Sequence, residues 1–205
     1  MLELIIGSNS TKKVQELLAL LPGDLVAVRS LLDFGPVPEV EETGSTFAEN
    51  ANLKASGYAK QCNAWVLADD SGLSVDALGG APGVFSARFA GQPTNDQANN
   101  ALLLQRLAEV PPAQRTAHYT CHLSLADPGG NIRLEATGVC HGAIGTQPAG
   151  TGGFGYDPLF IIPELHRTFA ELGPMVKQVV SHRGRALRQF LPPFLRLTKQ
   201  ETTSA

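Results

Sequence analysis

The sequence predicts an α/β protein: a mixed β-sheet with flanking helices, folded as two lobes around a central active-site cleft. Three observations lead there. Short apolar runs alternate with segments of helical periodicity through the first half of the chain, the pattern of strands connected by helices. Ala117–Leu125 and Ile132–Val139 then show strand composition and meet at Asp127-Pro128-Gly129-Gly130, which predicts a long β-hairpin. No internal repeat or long linker divides the 205 residues, 43% of them hydrophobic and 17% charged, so residues 1–205 are expected to form a single domain.

Leu2–Ile6 reads as a buried strand, closed by the polar turn Gly7-Ser8-Asn9-Ser10-Thr11. A helix follows, because Val14, Leu17, Leu18 and Leu21 recur at helical spacing until Pro22-Gly23 stops it. Leu25–Arg29 reads as a second strand, and Pro36–Glu42 as a stiff acidic loop ending in Glu41-Glu42. Thr46 and Glu49 have capping-box spacing and open a helix to about Gln61 that places Asn50 and Lys54 on one face. Trp65–Ala68 reads as a strand that ends at Asp69-Asp70-Ser71-Gly72, with another strand near Leu73–Leu78 and a Gly-Gly-Ala-Pro-Gly turn. Thr94 and Gln97 form a second capping box, starting a helix to about Glu109 with Leu102, Leu103 and Leu107 inward. Thr168 and Glu171 form a third, soon interrupted by Gly173-Pro174, with Lys177 on the helical segment beyond. Ser181 reads as the N-cap of a last helix whose core contacts are Ala186, Leu187, Phe190 and Leu191, and residues 198–205 as a frayed tail.

Composition narrows the function classes. A net charge of −3 gives no basic field for a nucleic-acid polymer, while a small anion held by a few local cations remains compatible. Cys62, Cys121 and Cys140 are odd in number and widely spaced, which argues against a disulfide framework or zinc knuckle. No stretch has membrane-spanning length and no basic leader precedes the first strand, so no membrane partner and a cytoplasmic location are expected.

The chemistry gathers around Leu67–Gly91. Neighbouring strand residues face opposite ways, so Asp69 and Asp70 cannot play the same role. One is expected in a cleft and the other on structural partners. The first strand, polar turn and helix start form a site for an anion, with free amides at the positive end of the helix dipole. Lys12 and Lys13 in that first turn are mildly unfavourable for the helix alone, and a phosphate would reverse the sign. Carboxylates at a strand end, backed by Glu41-Glu42, suit Mg²⁺ when the substrate's own phosphates complete its coordination. Lys13, Lys54 and Lys177, from separate elements, are placed to neutralise a triphosphate while an aspartate activates water.

Other motifs carry less. Gly150-Thr151-Gly152-Gly153-Phe154-Gly155 matches GxGxxG, but a strand-like, proline-blocked run follows where a dinucleotide fingerprint needs a helix. Its glycines instead let backbone approach a ligand, with Phe154 or Tyr156 available to stack on a base. Ser71 lacks the GxSxG elbow, the adjacent aspartates lack DxD spacing, and His118, His122 and His141 show no shared face for a metal.

The segments SNSTKK (Ser8–Lys13), EETGSTFAENANLK (Glu41–Lys54), Ala68–Gly91, TGGFGYDP (Thr151–Pro158) and SHRGRAL (Ser181–Leu187) together closely resemble the inosine triphosphate pyrophosphatase family, in matching order from Leu2 to about Leu191. These XTP/dITP diphosphatases remove non-standard purine nucleoside triphosphates. The resemblance implies an elongated mixed sheet, a Mg²⁺-dependent homodimer, and hydrolysis of ITP, dITP and XTP to the monophosphate and pyrophosphate. It implies Asp70 as proton acceptor and metal ligand, with Glu42, and Asp69 as a further candidate, supporting the ion. Ser8, Asn9, Ser10, Thr11, Lys12, Lys13, Lys54 and Ser71 resemble the phosphate-binding set; Phe154, Gly155, Tyr156, Asp157, Lys177, His182 and Arg183 resemble the base-binding set. Two departures stand out: Ser10 where the family turn usually has Asn, and Gly173-Pro174-Met175-Val176 in place of a polar, acidic helical run. The competing expectations are a related pyrophosphatase for pyrimidine or modified nucleotides, and a non-catalytic nucleotide sensor that needs no water-activating carboxylate.

Overall fold

The computed structural model describes residues 3–21, 27–34 and 36–203. Leu2, the Pro22-Gly23 stop, the Leu25-Val26 start of the second strand and residues 204–205 of the expected tail lie outside the described residues. In chain order the elements are β1 (Glu3–Ile6), α1 (Thr11–Leu18), β2 (Ala27–Ser30), α2 (Phe47–Cys62), β3 (Trp65–Val75), α3 (Asp96–Arg106), β4 (Thr116–Ala126), β5 (Ile132–Ile144), β6 (Phe160–Ile162), β7 (Arg167–Thr168), α4 (Pro174–Val180) and α5 (His182–Thr203).

One seven-stranded sheet has the order β2-β1-β3-β4-β5-β6-β7. β1 runs parallel to β2 and β3, whereas β6 pairs antiparallel with β5 and β7, so the sheet is mixed as expected. The chain divides into two compact units, residues 1–70, 121–138 and 183–205 in the first and residues 71–120 and 139–182 in the second. Three divisions fall inside β3, β4 and β5, and the fourth follows His182, the first residue of α5.

In the first unit, side-chain alternation along β1 and β3 builds two cores. Leu4, Ile6 and Leu67 pack with Val14 and Leu17 of α1 and with Leu187, Phe190 and Phe194 of α5. Ile5, Val66 and Ala68 face Ala55, Tyr58 and Ala59 of α2. The same alternation, continued by two residues, aims the aspartates. Gly7 lets the chain leave β1 closely: a Cβ there would lie 2.7 Å from Val66 Cγ1. The second unit has its own core of Leu73, Val75, Leu103, Tyr119, Ile144, Phe160 and Phe169.

Several sequence expectations need correction. The aspartates do not end a strand: β3 continues through Asp69-Asp70-Ser71-Gly72 to Val75, and Asp76–Leu78 is a 3-10 turn. Sheet pairing overrides the local turn preference of Asp-Ser-Gly. The α3 cap is Asn95, whose side chain accepts from the Ala98 N–H, one residue past the expected Thr94. Thr168 N–H and Oγ1 do bond Glu171 Oε2, at 2.8 and 3.1 Å, but they close a turn after β7, because Gly173-Pro174 starts α4 afresh. Leu18 is exposed at the end of α1, off the stripe formed by Val14, Leu17 and Leu21. The expected tail is helical as far as Thr203: Phe194 continues the apolar stripe of Phe190, with the rings 5.1 Å apart, and Leu197 packs on the same core.

Candidate active site

In the first unit, Asp69 and Asp70 are buried on opposite faces of β3. Asp69 faces α1 and α5. Arg183 donates through Nη2 to Asp69 Oδ2 at 2.9 Å and through Nη1 to Glu16, while Lys13 Nζ stands 3.6 Å from Asp69 Oδ1. Burial pushes the Asp69 carboxyl up, but Lys13, Arg183 and Lys54 outweigh it and hold it well below the usual carboxylate range. Burial likewise works against the Arg183 charge, and Asp69 more than restores it. Behind this pair the Cys121 thiol is pushed up to about 12 by burial and then by Asp69, which leaves it an inert core group.

Asp70 faces α2, where residues four apart present Asn50 and Lys54 side by side. Lys54 Nζ bridges two carboxylates, 3.0 Å from Asp70 Oδ1 and 3.0 Å from Glu42 Oε1. Asn50 Nδ2 donates to Asp70 Oδ2 at 3.4 Å. Burial, with a further push from Glu42, raises the Asp70 pKa against the pull of Lys54 and Lys13. Lys54 also stays above its ordinary value: burial opposes its charge, but Asp70, Asp69 and Glu42 favour it more. α2 is fixed here by its capping box, Thr46 Oγ1 accepting from Glu49 N–H while Glu49 accepts from Thr46 N–H, both at 3.1 Å.

The polar turn leads into α1 on the Asp69 side. Ser8 Oγ accepts from the Ser10 N–H at 3.2 Å, and Ser10 caps α1 by accepting from the Lys13 N–H at 3.4 Å. Asn9, Thr11 and Lys12 are exposed, and Ser71, next along β3 from Asp70, is half-buried. Ser10 therefore supplies the cap that Asn would also give.

The second unit holds the other expected set. Asp157 is buried, accepts from Phe154 N–H at 2.8 Å and pairs with Lys177 Nζ at 2.6 Å. Lys177 Nζ also lies 4.8 Å from the centre of the half-buried Phe154 ring, a cation–π distance. Tyr156 is corrected as a stacking candidate: its ring is buried in the core and its hydroxyl donates to the Ser86 carbonyl at 2.8 Å. His182 is buried, stacked on Tyr119 with ring centres 4.6 Å apart and planes 8° apart.

The sequence pattern of the Ham1 family matches residues 4–192. The chain belongs to the Ham1 family. A protein of Rhodopirellula baltica named dITP/XTP pyrophosphatase is 51% identical over 205 residues, covering 100% of this chain and 99% of its own length. One of the same name from Exiguobacterium sibiricum is 52% identical, covering 92% and 94% of the two chains. Among solved structures, a HAM1 protein from Coxiella burnetii matches with a TM-score of 0.84 at 41% identity, over 99% of this chain and 100% of that one. The Staphylococcus aureus Ham1 protein matches with a TM-score of 0.82 at 38% identity, over 97% and 99%.

Within this Ham1 fold, the first unit brings Lys13 and Arg183 to Asp69 on one face of β3 and Lys54 and Glu42 to Asp70 on the other, and the second brings together Phe154, Asp157 and Lys177. Arg183, expected with the base-binding residues, has its two terminal nitrogens on Asp69 and Glu16. Sequence reasoning passed over Glu16, Tyr119, Asp96 and Asn100. Glu16 stands one turn from Lys13 on α1, a spacing that marks a shared face, whereas the other three have no local signal. Among the described residues, no group of three or more His, Cys, Asp or Glu side chains is arranged to hold a metal ion. His122 instead meets Thr137 and Glu135, while His118 lies by His141 and Asp76.

Proposed function

We propose that this Ham1 protein hydrolyses dITP, ITP and XTP to the nucleoside monophosphate and pyrophosphate, clearing non-standard purines from the nucleotide pool. The observation that carries the reading is the 51% identity, end to end, with a protein named dITP/XTP pyrophosphatase. The Asp70 cluster supports it chemically. Asp70 takes the proton from the attacking water, and the upward push of burial on its pKa makes it a stronger base than an ordinary carboxylate once ionised. Lys54, fixed between Asp70 and Glu42, orients that carboxylate and offers positive charge to the phosphates. Ser8, Asn9, Ser10, Thr11, Lys12, Lys13 and Ser71 complete the phosphate-binding set of the first unit and its boundary strand.

Glu42 and Asp70 fit Mg²⁺: they are hard oxygen donors, and two carboxylates suffice when phosphate oxygens fill the remaining positions. When bound, the ion neutralises charge developing on the phosphates. Base recognition falls to Phe154, Gly155, Asp157, Lys177 and His182 of the second unit, while Arg183, expected with them, serves the Asp69 and Glu16 cluster of the first. A 6-keto purine presents an acceptor where adenine presents a donor, and a site built on such hydrogen bonds rejects the mismatched base by roughly 10⁴–10⁵. The whole chain is taken as one pyrophosphatase domain, working as a cytoplasmic homodimer. The family resemblance supports the dimer, and no helix among the described residues is long and apolar enough to cross a membrane.

The deciding experiment is a product assay with Mg²⁺ and a panel of triphosphates. ITP, dITP and XTP are expected to yield pyrophosphate far faster than ATP, dTTP or UTP. Orthophosphate as the product, or faster turnover of dTTP and UTP, would overturn the reading.

A further inference from the structure

We propose that Asp96 and Asn100 of α3 are positioning residues that hold the base-recognition loop in its working shape. The proposal rests on the reading that residues 154–157 receive the purine. Asp96 Oδ2 accepts from the Gly155 N–H at 3.0 Å, and Asn100 Nδ2 donates to the Gly155 carbonyl at 2.9 Å. Residues four apart lie on one helix face, so a single face of α3 grips both main-chain polar groups of one glycine.

Gly155 needs that grip. It sits at φ 61°, in the left-handed region that glycine visits readily, and a Cβ built on it would meet nothing within 4 Å, so it has no side chain of its own to anchor it. Its neighbours are tied by other means, Phe154 N–H to Asp157 and the Tyr156 hydroxyl to the Ser86 carbonyl. α3 is itself anchored: between the two gripping residues, Asn99 donates to the Ala87 carbonyl at 3.0 Å and accepts from the Ala90 N–H at 2.7 Å. The helix therefore transmits a fixed position to the peptide that follows Phe154. That peptide sets where the Phe154 ring and the Asp157–Lys177 pair stand before substrate arrives, and ordering them in advance lowers the entropy cost of binding.

The test uses Asp96→Ala, Asn100→Ala, the double variant and Asp96→Asn, assayed with ITP and Mg²⁺, together with hydrogen exchange at the Gly155 amide. Each alanine variant is expected to raise KM for ITP by about 2- to 10-fold, the worth of one hydrogen bond, with a smaller fall in kcat. The double variant should show less than the product of the two effects, because both act on one residue. Exchange at Gly155 should quicken in Asp96→Ala. Asp96→Asn keeps an oxygen that accepts from the Gly155 N–H and should recover most of the KM. Folded alanine variants with wild-type KM and wild-type exchange would overturn the proposal, and so would a lowered Tm with KM unchanged. Wild-type protein that releases no pyrophosphate from ITP would instead overturn the underlying reading, and the exchange measurement would still report whether α3 holds the loop.

Discussion

Asp69 and Asp70 share a strand but not an environment, and the difference gives each its own response to pH. Asp69, held low by Lys13 and Arg183 against its burial, contributes stability that is complete above the unfolded value of about 3.9 and is lost as pH falls through its folded value. Asp70 is raised by burial, so its contribution is complete below that unfolded value and is lost as pH rises through the folded one. Asp70→Asn is therefore expected to abolish turnover, losing the roughly 10²–10⁴ that a positioned base supplies, while retaining ITP binding. Because the raised pKa makes ionised Asp70 less favourable to the fold, the Tm of Asp70→Asn relative to wild type should be higher at pH 7 than at pH 4 by calorimetry, and the opposite trend would refute the assignment. On the other face, Arg183→Leu takes the guanidinium away from the buried Asp69, whose other nearby cation Lys13 stands 3.6 Å off and is partly exposed. It should cost about 3–5 kcal/mol in urea unfolding, the magnitude for breaking a buried pair. At this scale the sequence was informative where partners are local. Lys54 could be placed beside Asn50 by helical spacing, and the two aspartates on opposite faces by strand alternation. Arg183 could not be placed, because its partners Asp69 and Glu16 lie 114 and 167 residues away.

At the scale of elements, α2 and β3 show what local chemistry does and does not decide. The α2 start was readable because a capping box closes over four residues, and the structure forms both of its hydrogen bonds. Thr168 and Glu171 carry the same spacing and make similar bonds, yet produce only a turn, because the sequence beyond them supplies Gly173-Pro174 in place of a helical stripe. β3 departs from the sequence expectation for the opposite reason: Asp-Ser-Gly is a turn signal that pairing with neighbouring strands overrides, and pairing is not visible in one segment. The α2 cap also bears on the site, since the helix carries Asn50 and Lys54 against Asp70. Thr46→Ala is expected to destabilise the protein by about 1 kcal/mol in urea unfolding. Because Lys54 stands two turns in and is held by two carboxylates, KM for ITP should stay near wild type. A large KM increase without loss of stability would show that the cap acts on substrate directly.

At the scale of the whole molecule, the charge balance determines how a highly anionic substrate is met. With 16 Lys and Arg against 19 Asp and Glu, the net charge of −3 repels a triphosphate at long range. Attraction must come from cations close to the phosphates, and Lys54 is buried beside carboxylates that hold it in place. Buried pairs are screened far less than exposed charges, whose fields fade over about 8 Å at physiological ionic strength. Raising salt from about 0.05 to about 0.5 M, at constant free Mg²⁺, should therefore change kcat/KM for ITP by only a few-fold, with most of the change in the exposed Lys12 contribution. A substrate steered by an extended basic surface would instead lose about 10- to 10³-fold over such a range. A loss of that size would mean that capture depends on solvent-exposed cations, and the buried cluster around Asp70 would no longer account for how the triphosphate is held.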